Sequence, residues 1–288
     1  MQQRKLVGLL YVAPALAFVI CFTVAPFVQM LWMSLHNWSL LTGQKFIGFN
    51  NFIKAYNDTQ FWVSLVFTLK YTLWITPILM IGGYMIALLV AEKGRLRAIA
   101  RAVVFVPVVI GLGASSLLWY WLFSYDYGLI NRGLLDLGII SKPVVWFGAD
   151  ATLGTWAVIS SIVWKVMGFG MILFIAAIQA IPHEVREAGR IDGASQWQAV
   201  RRIILPLTYR TVLLVTLVSI IGSLLAFDQF YIMTAGQPGN LTATSVFFIY
   251  LNSFPYLKLG YGAALSLILS LVVLLFTLLQ LYLNRRLA

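Results

Sequence analysis

The chain has 288 residues, 61% hydrophobic and 10% charged, with a mean hydropathy of +0.90. A soluble domain carries about a quarter charged residues, so this composition excludes the soluble class and points to a membrane. The single cysteine, Cys21, excludes an internal disulfide and a thiolate metal cluster, and the formal charge of +11 reads as a mark of membrane orientation.

Six apolar runs follow one another, at about 7–35, 62–91, 98–124, 153–181, 207–233 and 259–284. Each reaches the ~20 residues a helix needs to cross the hydrocarbon, and none alternates as a barrel strand would. The prediction is an all-α integral membrane protein whose residues 1–288 form one transmembrane domain. The first run holds Pro14 and Pro26; it is too long for a leader and shows no small-residue cleavage site, so it reads as retained. The second holds Pro77 and Lys70, and the third holds Pro107, which a membrane helix tolerates as a kink.

Between the third and fourth runs, 125–152 contains Leu129, Ile130, Leu134, Leu135 and Leu137, a pattern for a short amphipathic helix along the interface. After the fifth, "TAGQPGN" marks a turn, and "SVFFIYLNSF" is too short to span, which predicts a surface or re-entrant helix. Lys and Arg divide unevenly between the loops. Arg4, Lys5, Lys93, Arg95, Arg97, Arg101, Arg186, Arg190, Arg201, Arg202, Arg210, Arg285 and Arg286 fall on one side. Lys45, Lys54, Arg132, Lys142 and Lys258 fall on the other. Positive charge collects inside, so both termini are expected in the cytoplasm. The basic residues form no stripe interleaved with exposed aromatics, which argues against a nucleic-acid partner.

The cytoplasmic segment 182–206 is the polar exception. Pro182 suits a helix start, and Glu184 and Glu187 suit its first turns, which predicts a helix to about Ile191. Gly193 then permits a tight turn, and Ser195 suits the N-cap of a second short helix over 196–204. Pro206 opens the next apolar run. Ile181, Val185, Ala188 and Ile191 give the first helix an apolar side that needs cover. A plain connecting loop is the simpler reading of such a segment.

The spacing of Glu187, Ala188, Gly193, Ile203, Leu205 and Pro206 is similar to the cytoplasmic signature of permease subunits of bacterial ATP-binding-cassette importers. "IDGAS", with Ile191 and Asp192, and "AIQAIP" before it resemble the carbohydrate-uptake branch, as do "LYVAPALAFVI", "FIGFNNF" and "FDQFYIMTAGQPGN". Gly189 and Val200 depart from the pattern, which usually has Ala and an aromatic there.

The resemblance implies a type I importer fold in the bacterial inner membrane, with 182–206 docking on a separate ATPase. It further implies a second permease subunit (a heterodimer), two ATPase subunits carrying ATP and Mg, and an extracytoplasmic solute-binding protein. The solute would be a sugar or sugar-like molecule, glycerol phosphates and anionic sugar derivatives included. The chain itself has no Gly-Lys dipeptide, hence no phosphate loop, and is expected to bind no cofactor or metal and to catalyse no covalent chemistry.

Charged groups within apolar runs are functional candidates. Lys165 lies near the middle of the fourth run, Asp228 near the outer end of the fifth, and Lys70 can snorkel outward. Thr216, Ser219, Gly222 and Ser223 share one face, either as helix packing or as a lining for a hydroxylated solute. Trp164, Phe227 and Tyr231 are aromatic candidates beside them. An ion-coupled carrier using Lys165 or Asp228 is the rival reading, and a non-transporting scaffold is another.

Overall fold

The computed structural model describes residues 2–39 and 43–287, and the side chains of 11–39 and 43–282. The side chains of Arg4, Lys5, Arg285 and Arg286, counted above for orientation, lie outside the described residues. In chain order, α1 runs over 2–34, and a hairpin joins β1 (His36–Ser39) to β2 (Gly43–Phe46). Then come α2 (Asn50–Asn57), α3 (Thr59–Val90), α4 (Arg95–Val109), α5 (Leu112–Leu122) and α6 (Leu129–Asp136). They are followed by α7 (Ala151–Gln179), α8 (His183–Ile191), α9 (Gln196–Leu224), α10 (Ser245–Ser253) and α11 (Leu259–Leu287). Among the described residues five helices are long and apolar enough to cross a membrane, and α4 with α5 passes the same test as a pair bent by 101°.

The chain forms two compact units. One takes residues up to Phe61 with Phe248–Leu274, and the other takes Trp62–Phe247 with the residues from Leu275. In the first, α1 widens into a π turn at Ile20–Val24, just before Pro26. Proline has no N–H to give and crowds the carbonyl four residues back, and a wider turn relieves both. The α1 side chains from Tyr11 to Val28 are exposed. At its end the Asn51 amide donates to the carbonyls of Ser34 (2.8 Å) and His36 (2.9 Å), which fixes α2 against the hairpin. Asp58 accepts the amides of Gln60 and Phe61 at the head of α3 and the Tyr261 hydroxyl at 2.6 Å. The hairpin itself was not expected from the sequence.

In the second unit α7 is central. α4 lies along it so closely that a Cβ at Gly168 would collide with the Val104 carbonyl. Against α3, Phe174 meets Tyr84 edge-on at 5.0 Å, and Trp156 stacks on Trp74 at 5.7 Å. Tyr71 and Phe230 close the core edge-to-face at 4.9 Å.

Two runs differ from their sequence reading, and one short segment keeps only one of its two readings. The third is broken: Ile110 and Gly111 are extended, and the bend leaves carbonyls of α4 without helical partners. The fifth stops at Leu224, not near 233, and the Ala226 carbonyl at the break accepts the Thr244 hydroxyl at 2.7 Å. A separate π turn, Phe230–Thr234, follows. The segment opening at Ser245 is no surface helix: Ser245, Phe247 and Phe248 are buried, and Ser245 bonds to Thr68.

Candidate coupling segment and translocation cavity

α8 starts after Pro182, carries Glu184 in its first turn and Arg190 in its last, as the helix dipole favours. It ends in a tight turn. Gly193 takes φ +76°, a left-handed value that a β-carbon resists, and its N–H reaches the Arg190 carbonyl. Ser195 then caps the next helix. Its Oγ accepts the Gln198 N–H at 3.3 Å while Gln198 Oε1 accepts the Ser195 N–H at 2.8 Å, a reciprocal capping box.

The second arm is not a separate short helix. It passes through a π turn, Val200–Ile204, and continues as α9 to Leu224. The tip of Ile203 occupies the space that a β-carbon at residue 189 would need, which accounts for glycine there: Gly189 lets the two arms close on each other. Glu187, Ala188, Ile191, Asp192, Leu205 and Pro206 are all exposed, and Glu187 Oε1 lies 3.2 Å from His183 Nδ1. Ile191 is 86% and Trp197 70% exposed, so the segment presents bare apolar surface on otherwise polar helices. Trp197 was missed in the sequence, although an isolated tryptophan in a polar stretch is a readable signal.

A cavity of about 200 Å³ lies among α3, α5, α7 and α9. Most of its wall is aliphatic. Its polar lining includes Ser219 and Ser223 of α9 and Gln229 beyond the α9 break. Gln229 is buried and its Oε1 has no hydrogen-bond partner. A buried amide oxygen left so costs about 1–3 kcal/mol, unless water or a solute supplies the donor. Among the described residues no lysine, arginine, aspartate or glutamate lines the cavity. Gln229 also escaped the sequence reading, because the break that turns it inward has no local signature.

The other expected pathway residues lie elsewhere. Lys165 is buried, but its ammonium donates to the Val108 carbonyl at 2.8 Å, satisfying one acceptor freed by the α4–α5 bend. Trp164 meets Trp119 edge-on at 5.7 Å. Phe227 and Tyr231 stack on each other at 5.3 Å and pack on Phe247. Asp228 is half-buried and Lys70 exposed; neither lines the cavity. Among the described residues no three His, Cys, Asp or Glu side chains gather as a metal site.

Residues 79–288 match the family of binding-protein-dependent transport system inner membrane components. The chain belongs to this family. This inner membrane component is 31% identical, over 96% of its length and 93% of the relative's, to the trehalose/maltose transport system permease protein MalF of Thermococcus litoralis. It is 33% identical, over 96% and 94%, to the lactose transport system permease protein LacF of Rhizobium radiobacter. Its fold is similar to a chain of a bacterial alginate ABC transporter solved with an alginate pentasaccharide-bound periplasmic protein, with a TM-score of 0.87 at 21% identity over 99% and 96% of the two chains. The inner membrane component is thus a multi-pass membrane protein with a type I permease fold.

Proposed function

We propose that this chain is one permease subunit of an ATP-driven importer that moves a sugar or sugar-like solute, delivered by a binding protein, into the cytoplasm. The solute names of its relatives support the sugar class. The cavity supports an uncharged, hydroxylated solute, since serine hydroxyls and an amide face it and no charged group does. Ser219, Ser223 and Gln229 would form the passage site. Lys165, Trp164, Phe227, Asp228 and Tyr231 would act around it by holding helices in place.

In this reading both termini are cytoplasmic and 182–206 docks on an ATPase subunit. ATP and Mg belong to two such subunits, and a second, different permease completes the pathway. The observation that carries the reading is the bare apolar surface of Val185, Ile191 and Trp197 on a helix–turn–helix. Apolar groups so exposed mark a binding surface.

The test is uptake by the full complex in proteoliposomes. Accumulation of the sugar retained by the cognate binding protein should require ATP, Mg and the ATPase subunits. Glu187→Lys should remove both uptake and ATPase co-purification, because a desolvated charge without its partner is strongly unfavourable. Accumulation without the ATPase, or wild-type rates in Glu187→Lys, overturns the reading.

A further inference from the structure

We propose that α2 is an interfacial anchor, with one flank seated at the lipid headgroup boundary on the side of the membrane where residues 35–58 lie. The helix has eight residues and three distinct sides. Asn51 and Ala55 form its buried back. At 3.6 residues per turn, Phe52, Tyr56, Phe49 and Ile53 fall within an arc of roughly 100°, and Asn57, Asn50 and Lys54 fall in the next arc of roughly 60°. Phe49 is 71%, Ile53 57% and Tyr56 74% exposed. The outward half is therefore divided into an apolar flank and a polar flank.

The tethers set the depth and tilt. Asn51 is bonded to carbonyls at the end of the first span, and Asp58 to Tyr261 near the start of the last. Thr59, one residue further, opens the second span. A helix fixed at one end to one span and at the other to two more lies across their ends, at the level where hydrocarbon gives way to water. There a membrane covers the apolar flank and leaves the polar flank wet, the division that an interfacial helix shows.

The charges agree with a phosphate layer. Lys54 Nζ stands 4.3 Å from the Tyr261 ring centre, and Lys258 Nζ 5.5 Å from that of Tyr256. The Asp58 carboxylate beside them is already engaged by Tyr261, Gln60 and Phe61. Partial burial and the nearby Lys258 hold the Lys54 ammonium below its ordinary range, a cost that an anionic headgroup offsets.

The test places nitroxide labels at Phe49→Cys, Ile53→Cys, Asn50→Cys and Asn57→Cys in a Cys21→Ser background. The full complex is held in vesicles of phosphatidylethanolamine and phosphatidylglycerol, and electron paramagnetic resonance reads access to oxygen and to a water-soluble nickel chelate. The oxygen-to-nickel ratio should be severalfold higher at 49 and 53 than at 50 and 57. Equal nickel access at all four positions overturns the proposal. Shielding of 49 and 53 from both agents, with or without added binding protein, overturns it in favour of a protein occupant.

Discussion

The side-chain amide of Gln179 donates to the carbonyl of Ala91 at 2.7 Å, so the last turn of α7 and the end of α3 lie on one face of the membrane. Between these points the chain runs through α4 with α5 and then α7. If the bent pair dipped in and returned, α7 alone would carry Gln179 to the opposite face, about 43 Å away for 29 residues at 1.5 Å each. The bond therefore requires the bent pair to cross, which makes it the sixth candidate span among the described residues.

Thiol labelling checks this directly. In a Cys21→Ser background, Arg97→Cys lies in the first turn of α4 and Tyr127→Cys just beyond α5. An impermeant maleimide should label them from opposite faces of sealed vesicles. Labelling of both from one face would restore the re-entrant alternative.

Lys165 serves the bend rather than the cavity. Lys165→Met should leave the Val108 carbonyl buried and unpaired, at about 1–3 kcal/mol. The measurable outcome is a lower melting temperature of the purified complex, with the apparent affinity for solute unchanged. A changed affinity at wild-type stability would move Lys165 into the pathway.

Gln229 should behave in the opposite way. Gln229→Leu replaces an amide whose oxygen is unsatisfied with an apolar side chain of similar size, so thermal stability should hold or rise. Uptake should fall, because the cavity loses one of its few hydrogen-bonding groups. A variant that transports at the wild-type rate would remove Gln229 from the passage site.

Close approach at Gly168 gives a packing test. Gly168→Val pushes side-chain atoms into the Val104 carbonyl and should destabilise by about 1–3 kcal/mol. Gly133→Val, where a β-carbon would meet nothing within 4 Å, should cost far less from crowding. Thermal unfolding of the two variants in the same detergent compares them, and equal losses would show that α4 and α7 can spread apart.

Much of the architecture was readable because hydropathy acts locally and continuously. Spans α3 and α7 begin and end close to where their apolar runs do, and the turn at Gly193 and Ser195 is written in residue types that suit those backbone angles. What escaped reading depends on partners distant in sequence. The break at Ile110 is held by a lysine 57 residues beyond Val108. The end of α9 is hidden in an apolar run and is supported by the Thr244 hydroxyl, 18 residues on from Ala226. Gln229 and Lys165 illustrate the same limit. Both look like polar groups in apolar surroundings, and only the fold separates the one facing a cavity from the one bonded to a carbonyl.

The helix that begins at Ser195's cap does not end at the membrane surface. α9 runs from Gln196 through the π turn at Val200–Ile204 to Leu224, and its far half carries Ser219 and Ser223 on the cavity wall. Twenty-seven residues separate Gln196 from Ser223, about 40 Å along one axis. Such a rod acts as a lever where the π turn keeps its shape: a small tilt at the watery end becomes a sweep of the hydroxyl-bearing end. The tight turn at Gly193 lies outside the rod. A displacement of Ser195 that the π turn transmits is a displacement of Ser223.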